Sequence, residues 1–362
     1  MLLLILLLLL SALYFTLVLY TRFLLRPRTC PARPARFFSV IIAARNESAR
    51  VLPLIASLRR LDYDEALREI IFVDDGSTDD TGALIEREIT TLPGARLIRL
   101  RESDRLLPGK KNALHTAIMQ ASGVFIAVTD ADCSVPPGWL ATLNNCFDAG
   151  DVMALGHATI GVQSGLLNLY LRFDNLFAGI MTAVPAMLGL PLSSVGRNMA
   201  YRREAYLKSG GYPELARHRS GDDVFLTELF RKKIKGYIRF CGGAGSYVRT
   251  RVPETLREIL WQQIRKNSKL IHKSPPALVL TFFLLAFHLL LLYMLFWPGY
   301  ILPALGLLAA KFILEFLALW RACDFFDAPE LKKSLPIFQL IYPPLVVVLA
   351  LAGLTGLYKW KP

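Results

Sequence analysis

The stretch Val124-Phe-Ile-Ala-Val-Thr-Asp-Ala-Asp132 decides the fold. It opens with a continuous run of apolar, mostly β-branched or aromatic side chains, which predicts a strand buried on both faces. Two carboxylates, Asp130 and Asp132, follow directly where that strand ends. Because side chains alternate along an extended chain, these two acids project in the same direction. We predict a buried strand that presents two acids at its carboxyl end.

The same alternation of strand and helix patterns runs through the preceding ninety or so residues. Further strands are predicted at residues 38–43, 69–73 and 96–100, and helices at 47–61, 78–90 and 110–120. A second acid pair, Asp74 and Asp75, ends the strand at 69–73. Such alternation predicts an α/β fold with a mostly parallel, doubly wound sheet covered by helices. In these sheets, ligands bind beyond the carboxyl ends of the strands.

Acids at strand ends suit phosphates only when a divalent cation lies between the two. The sequence contains neither GxxxxGK[ST] nor GxGxxG, so neither a P-loop nor a dinucleotide-binding turn is predicted. The acids therefore indicate a site for Mg²⁺ or Mn²⁺ together with a phosphorylated ligand.

Composition indicates a chain attached to a membrane. The chain has 362 residues, of which 54% are hydrophobic and 20% are charged, which excludes a disordered chain and disfavours a purely soluble one. Residues 2–20 and 277–297 carry no charge. We predict one N-terminal span and three C-terminal spans at about 277–297, 300–320 and 337–358, since each is about as long as a bilayer is thick.

The positive charge lies beside the predicted spans. The chain has 42 Lys and Arg against 29 Asp and Glu, a net charge of +13. Cations next to spans face the cytoplasm, so we predict a cytoplasmic middle region and an integral, multi-pass protein of a bacterial inner membrane, with no nucleic-acid partner. These cations are Arg22, Arg26, Arg28, Arg33 and Arg36, then Arg257, Arg265, Lys266, Lys269 and Lys273.

Two further features carry expectations. The five cysteines form no CxxC pair, which favours a reducing compartment and disfavours a disulfide or zinc scaffold. Lys311 and Glu315 lie one helical turn apart in the middle of a predicted span. They are interpreted either as a self-neutralising structural pair or as a site for an acceptor or lipid headgroup.

Several motifs occur in a fixed order along the chain. They are Ser39-Val-Ile-Ile-Ala-Ala-Arg-Asn-Glu47, Val73-Asp-Asp-Gly-Ser-Thr-Asp79, Gly109-Lys-Lys-Asn-Ala-Leu114, Asp130-Ala-Asp132, Gly196-Arg-Asn-Met-Ala-Tyr-Arg-Arg203, Gly210-Gly-Tyr212, Ser220-Gly-Asp-Asp223 and Gln262-Gln-Ile-Arg265. In this order they resemble family 2 glycosyltransferases of the membrane-bound branch. The resemblance covers roughly residues 37–270 and implies a GT-A fold that binds a nucleotide-diphosphate sugar.

The resemblance also implies a role for each matching residue. Asp132 would ligate the metal ion. Asp223 would be the general base, and Gln262 and Arg265 would act in catalysis, with Lys266 standing where the family usually has Trp. The residues implied in nucleotide-sugar binding are Ala43, Arg45, Glu47, Asp74, Asp75, Lys110, Asp130 and Asn198.

Together these expectations describe a membrane enzyme with four parts. They are an N-terminal anchor (residues 1–25), a cytoplasmic transferase domain (37–250), an amphipathic interface helix with the QxxR motif (251–275) and three C-terminal spans (276–362). The preferred function is inverting transfer of one sugar, from a UDP-sugar by preference, to a lipid or lipid-linked acceptor. The alternatives are a processive polysaccharide synthase and a non-catalytic membrane scaffold.

Overall fold

The chain folds as two compact units. The computed structural model describes residues 2–26, 30–104, 106–218, 220–253, 255–268 and 274–355. The helical unit comprises Met1–Arg26, Gln163–Leu176 and Pro253–Pro362, and the sheet unit comprises Pro27–Val162 and Phe177–Val252. Residues 163–176, which we assigned to the transferase domain, thus belong to the helical unit. The four domain boundaries themselves stay predictions.

The first half of the main sheet is parallel, as predicted. Its strands are β1 (Phe38–Ala44), β2 (Arg68–Asp74), β3 (Ala95–Arg99) and β4 (Phe125–Asp130). β1 pairs in parallel with both β2 and β4, and β2 pairs in parallel with β3. Each strand agrees with its predicted bounds to within one residue. For β1, β2 and β4 the reason is that runs of apolar residues mark strands buried on both faces, whereas β3 is only partly buried.

The second half of the main sheet contains an antiparallel strand. The full order is β3-β2-β1-β4-β8-β6-β9, with β6 at Asp151–Leu155, β8 at Met199–Arg202 and β9 at Tyr237–Phe240. β8 runs antiparallel to β4 and to β6, whereas β6 and β9 are parallel. A small second sheet consists of β5 (Cys133–Ser134), β10 (Val248–Thr250) and β7 (Ala158–Ile160).

Helices cover both faces of the main sheet. Val40 and Ile42 of β1 face a core shared with α2 (Val51–Leu58), α3 (Thr81–Ile89) and α5 (Trp139–Cys146). Ile41 faces the opposite core, shared with α4 (Lys110–Gln120), α7 (Arg203–Ser209) and α8 (Asp222–Lys233). Burying each such side chain stabilises the fold by about 1.5–3 kcal/mol, so the two cores fix the sheet that carries the acids.

Among the residues that the structure describes, the helical unit contains four helices that are long and apolar enough to cross a membrane, which agrees with the predicted number. They are α1 (Leu2–Leu24), α10 (Pro275–Met294), α11 (Ile301–Phe325) and α12 (Leu335–Leu354). α6 (Leu166–Met187) starts in this unit and ends in the sheet unit. Arg28, Lys269 and Lys273 lie outside the described residues, as does the predicted end of the last span at Tyr358.

The predicted interface helix is α9 (Leu256–Asn267). Its start is stabilised by an N-cap, since the side chain of Thr255 accepts a hydrogen bond of 3.1 Å from the backbone N–H of Glu258. Leu256 and Leu260 are exposed one turn apart, and cations occupy other positions of the same helix. α9 is therefore amphipathic, as predicted.

The two charges in the third span form a self-contained polar cluster. Lys311 is buried, and its Nζ lies 2.8 Å from the carboxylate of Glu315. Tyr14 of α1 donates a hydrogen bond to Glu315, and Gln339 Nε2 of α12 lies 3.4 Å from it. Of the two interpretations of this pair, the self-neutralising one agrees with these contacts, which link three spans.

A disulfide corrects the expectation drawn from the cysteines. Cys146 and Cys241, which are 95 residues apart, are bonded within the sheet unit. The spacing gave no sign of this, because α5 and the loop after β9 become neighbours only through the fold. Cys133 and Cys323 are buried free thiols, whereas Cys30 is exposed, with its Sγ 3.7 Å from Cys146 Sγ. The argument for a reducing compartment is withdrawn, and orientation rests on the basic flanks.

Candidate active site

The strand register brings the predicted donor-binding residues to one edge of the sheet. Ala43 of β1 lies beside Val73 on one side and Asp130 on the other, and Ala44 lies beside Asp74. β1 is also the strand at which the chain changes direction across the sheet, since β2 lies on one side of it and β4 on the other. Such switch points open a crevice beyond the carboxyl ends of the strands.

The loops after β1 and β2 are hydrogen-bonded to each other. Asn46 has a left-handed backbone (φ 55°), and its Oδ1 accepts a 2.8 Å hydrogen bond from Thr78 N. The backbone N–H of Glu47 donates to Thr81 Oγ1 at 2.7 Å. Glu47 is buried, with Arg50 3.4 Å from its carboxylate, whereas Arg45 is exposed. Both loops thus form one rim of the crevice.

Asp79 holds this rim together, a role that we did not assign from the sequence. Its carboxylate accepts hydrogen bonds from Ser48 Oγ at 2.7 Å and from Thr81 N at 3.0 Å. Burial raises the pKa of Asp79, but hydrogen bonds from Thr81 and Ser48 outweigh it and lower the pKa to about 2. The signal available in the sequence was its place in the first turn of the helix predicted at 78–90, where an acid suits the positive end of the helix dipole.

The acid pair after β2 is buried. Ser77 N donates a 3.0 Å hydrogen bond to Asp74 Oδ1, which closes a tight turn. Gly82 of α3 packs against the same carboxylate so closely that a Cβ would clash with it. Asp75 is 5% exposed, and its backbone N–H bonds to Ala44 O at 2.9 Å. Asp74 thus has a structural role in the turn, and the binding of a nucleotide sugar by Asp74 and Asp75 stays a prediction.

Lys110 and Asp130 are brought together, although they lie 20 residues apart. Gly109 precedes α4 with a positive φ of 61°, which directs the first residue of the helix toward the end of β4. Lys110 Nζ forms an ion pair with Asp130 Oδ1. Burial lowers the pKa of Lys110, but the charges of Asp130 and Asp222 outweigh it and raise the pKa above its ordinary range. The Lys110 ammonium therefore lies near the carboxyl ends of β2 and β4, where Asp75, Asp130 and Asp132 are found. We call this region the acidic edge.

Asp132 lies half-buried immediately after this strand, next to the small sheet. Cys133 Sγ lies 3.5 Å from Asp132 Oδ1. Burial raises the pKa of the Cys133 thiol, and the charges of Asp130 and Asp132 raise it further. The Cys133 thiol thus stays protonated beside two carboxylates. In the small sheet, Thr250 Oγ1 of β10 accepts a 2.9 Å hydrogen bond from Arg197.

Asp223 is the second residue of α8 and is held by backbone N–H groups. Its Oδ2 accepts from Gly196 N at 3.0 Å, and its Oδ1 accepts from Val224 N at 2.8 Å. A Cβ on residue 196 would stand 3.1 Å from Asp223 Cβ, so glycine allows this close approach. The neighbouring Asp222 interacts electrostatically with Lys110, which places the start of α8 near the acidic edge.

Asn198 is engaged entirely by protein groups. It is fully buried, and its Nδ2 donates to His157 O at 2.6 Å and to Ser246 O at 2.7 Å. Its Oδ1 accepts from Trp139 Nε1 at 3.0 Å. These contacts anchor the loop before β8. A direct contact of Asn198 with a donor stays a prediction.

Gln262 and Arg265 lie on α9, in the helical unit. Gln262 is exposed and Arg265 is half-buried. Their neighbours face differently, since Gln263 is 6% exposed and bonds within the helical unit. The roles of Gln262 and Arg265 stay predictions.

The residues at the acidic edge fit a hard divalent cation. Among the described residues, no group of three or more His, Cys, Asp or Glu side chains forms a ready metal cage. Mg²⁺ is usually held by one or two carboxylates together with phosphate oxygens of the substrate rather than by such a cage. Asp132 has a half-buried carboxylate that could serve in this way, and Asp130 lies two residues away.

Comparison with known proteins finds similarity to glycosyltransferases. The chain is 33% identical over 97 residues to the beta-monoglucosyldiacylglycerol synthase of Synechocystis sp., which covers 27% of this chain and 20% of the relative. It is 37% identical over 94 residues to the poly-beta-1,6-N-acetyl-D-glucosamine synthase of Staphylococcus epidermidis, which covers 26% and 21%. The matched part thus spans about a fifth of the length of these relatives.

The fold is shared over nearly the whole chain. The mannosyltransferase PcManGT from Pyrobaculum calidifontis, solved in complex with GDP-Man and Mn²⁺, aligns with a TM-score of 0.56 at 19% identity, covering 92% of this chain and 95% of that one. The predicted GT-A fold is thereby confirmed. Residues 39–208 match Glycosyl transferase family 2, and residues 125–353 match Glycosyl transferase family group 2. Since the second match covers more than half of the chain, the protein belongs to the family 2 glycosyltransferases.

Proposed function

We propose that the protein transfers a sugar, with inversion and with a divalent metal, from a nucleotide-diphosphate sugar to a lipid or lipid-linked acceptor at the cytoplasmic face of a membrane. The observation that carries the proposal is the acidic edge: Asp75 follows β2, and Asp130 and Asp132 lie at the end of β4, the two strands that flank β1 in parallel. Lys110 pairs with Asp130 there. This edge belongs to a chain that also has four candidate membrane spans.

Asp223 is the proposed general base. As the acceptor oxygen bonds to the anomeric carbon, its proton passes to the Asp223 carboxylate and the bond to the diphosphate breaks. The two backbone N–H groups on Asp223 fix the carboxylate without supplying a counter-cation. A base must lie within hydrogen-bond reach of the hydroxyl, so this fixed orientation supports the role.

Lys110 is the proposed partner of the leaving diphosphate. Its ammonium is held at the acidic edge by Asp130 and stays charged throughout the physiological pH range, because the surrounding acids raise its pKa. Fixed positive charge placed where negative charge develops lowers the barrier. Asp132, with Asp130, would hold Mg²⁺ or Mn²⁺, which supplies further charge neutralisation for the diphosphate.

A lipid acceptor is the preferred substrate class. The similarity to an enzyme named for a diacylglycerol product supports it, as do the apolar spans on both sides of the transferase domain. A processive polysaccharide synthase is the second candidate, favoured by the similarity to a poly-N-acetylglucosamine synthase. The two differ in product size, which a single assay measures.

The deciding experiment uses the full chain in lipid nanodiscs that contain a membrane lipid extract. Radiolabelled sugar nucleotides are supplied one at a time, with Mn²⁺, with Mg²⁺ or with EDTA, and products are separated into lipid-extractable and polymeric fractions. We expect one donor to label the lipid fraction only when metal is present, with Asp223→Asn as the inactive control. Label in long polymers favours the synthase, and no transfer or donor hydrolysis from any donor favours the scaffold.

The orientation of the protein in the membrane is tested with a cysteine that the chain already contains. Cys30 is the exposed free thiol next to the first span, whereas Cys133 and Cys323 are buried. We expect a membrane-impermeant maleimide to label inverted membrane vesicles and not right-side-out cells, and Cys30→Ser to abolish the labelling. Labelling of intact cells contradicts the cytoplasmic orientation.

A further inference from the structure

Asp174, on the first half of α6, is a buried carboxylate surrounded by donors. It is 8% exposed, and Lys266 Nζ lies 2.9 and 3.1 Å from its two oxygens. Gln263 Nε2 donates to it at 2.9 Å and Tyr342 Oη donates at 2.8 Å. Burial raises the pKa of Asp174, but Lys266, Gln263 and Tyr342 outweigh it and lower the pKa. The carboxylate is therefore ionised, and both of its oxygens accept hydrogen bonds from protein side chains.

This carboxylate joins three helices of the helical unit. Asp174 belongs to α6, Gln263 and Lys266 to α9, and Tyr342 to α12. An aromatic cluster packs beside it: the rings of Phe173 and Phe338 are stacked at 4.6 Å, and Phe173 meets Tyr342 edge-on at 5.0 Å. Because this aromatic packing restricts how α6 and α12 can move, the side chains of α9 that donate hydrogen bonds bind to a carboxylate that is held in place.

The contacts of Asp174 determine how α9 is rotated. Gln263 and Lys266 are three residues apart, so they lie on one face of the helix. Gln262 and Arg265 also lie three residues apart and are each one position earlier, so their face is turned by about 100° from the anchored one. Fixing the first face therefore fixes the direction in which Gln262 and Arg265 point.

Lys266 is also where this chain departs from its family, whose motif usually has Trp at this position. The ion pair shows what the departure does, since a lysine here gains a buried anionic partner on α6. We propose that Asp174, through Lys266 and Gln263, is a positioning residue that orients the QxxR motif of α9 for transfer. The inference rests on the proposed function and adds to it a residue that lies 88 positions before Gln262 in the sequence.

A second ion pair on α6 provides a matched control. Arg172 is also buried and pairs with Glu330, which belongs to the segment between α11 and α12. Breaking this pair also removes one buried charge contact from the same stretch of α6, but it does not involve α9. Arg172→Gln therefore reports the loss of α6 anchoring alone, whereas Asp174→Asn reports that loss together with the release of α9.

The test is a double-mutant cycle on sugar transfer. Asp174→Asn, Arg172→Gln and Arg265→Lys are measured singly and as the two pairs with Arg265→Lys, with kcat and KM determined for the donor. We expect Asp174→Asn to lower kcat with little change in KM, and its effect to be non-multiplicative with Arg265→Lys by more than about threefold. The effect of Arg172→Gln should multiply with that of Arg265→Lys. If both pairs multiply, the positioning role is overturned.

Two further variants keep the test decisive if Asp174→Asn does not fold. Lys266 is half-exposed at its side chain, so its replacement is the milder change. We expect Lys266→Met to reproduce the loss of kcat and Lys266→Arg, which retains a cation for Asp174, to recover most of it. Equal activity of the two variants overturns the proposal.

A readout independent of transfer separates this inference from the proposed function. A nitroxide is attached to Arg265→Cys in a Cys30→Ser background, and its mobility is measured by electron paramagnetic resonance. We expect added Asp174→Asn to raise the mobility of the label and added Arg172→Gln to leave it unchanged. Equal mobility in both variants overturns the positioning role. A wild-type protein that transfers no sugar instead overturns the proposed function.

Discussion

The acids of the proposed active site and the buried ion pairs of the helical unit differ in exposure. In the sheet unit, Asp130, Asp132 and Asp223 remain half-exposed at the edge of the main sheet. In the helical unit, Lys311 and Asp174 are buried, and each is paired with an opposite charge. A half-exposed carboxylate can exchange its present partner for a substrate, whereas a sealed pair holds helices together. The difference indicates which charges serve chemistry and which serve architecture.

The largest effect is expected when the proposed base is neutralised, which tests whether the half-exposed acids serve the chemistry. We expect Asp223→Asn to lower kcat by about 10²–10⁴-fold, because a positioned base contributes about that factor. Stability should also fall, by about 1–3 kcal/mol, since the single amide oxygen can accept from only one of the two backbone N–H groups that bond to Asp223. Initial rates of transfer and a melting curve, both in nanodiscs, measure the two effects. A variant with full activity removes Asp223 from the mechanism.

The opposite result is expected for the sealed pair in the membrane. Glu315→Leu leaves Lys311 buried without its carboxylate, and removing one partner of a buried pair costs about 3–5 kcal/mol. The matched control is Lys311→Met with Glu315→Leu, which removes both charges and should recover most of the stability. Thermal unfolding in detergent measures the loss. Activity per folded molecule should stay unchanged, and a selective loss of activity would make this pair part of the chemistry.

The disulfide offers a third test, on the stability of the sheet unit. Cys241→Ser should lower the free energy of unfolding by about 2–5 kcal/mol, the usual effect of removing a native disulfide. Cys30→Ser is the control, because that thiol is free and exposed. Thiol titration of the denatured, unreduced protein should find the three free cysteines, Cys30, Cys133 and Cys323. Finding all five cysteines as thiols contradicts the disulfide.

Local patterns predicted most of the sheet and little of the long-range pairing. The runs that became β1 and β4 are continuous and apolar, so their burial and their acidic ends could be read directly from the sequence. The Asp174–Lys266 pair could not, because 92 residues separate its members and only the packing of α6 against α9 brings them together. The same holds for the disulfide, whose cysteines are joined by topology rather than by spacing.

Within the site, motif residues were found but their partners were not. Lys110 and Asp130 were each predicted to meet the donor, yet only the turn at Gly109 shows that they pair with each other. Asn198 matched a motif, although its amide is buried among protein groups because of distant segments that contain Trp139 and Ser246. The chemistry of a side chain follows from its residue type. Whether it is already paired with another protein group depends on neighbours that are remote in sequence.

The smallest expected effect concerns Asp79, which lies on the rim of the crevice and is exposed to solvent. Hydrogen bonds from Thr81 and Ser48 hold its folded-state pKa at about 2, below the ordinary value of 3.8. Its ionised form therefore stabilises the folded state at any pH above about 4, and that contribution is lost as the pH falls from about 4 to about 2. Solvent screening keeps the effect small.

We expect Asp79→Asn to lower the melting temperature slightly at pH 7 and the difference from wild type to shrink toward pH 2. The control is Asp80→Asn, because the neighbouring Asp80 makes no capping hydrogen bond with its side chain to the start of α3. Melting curves between pH 2 and pH 7 measure both variants. A difference that grows as the pH falls would reverse the sign of the argument, and equal behaviour of the two variants would show that the rim does not depend on Asp79. Since the rim also carries Glu47, the KM for the donor should rise in Asp79→Asn at pH 7, which connects this small electrostatic effect to the edge where the chemistry is proposed.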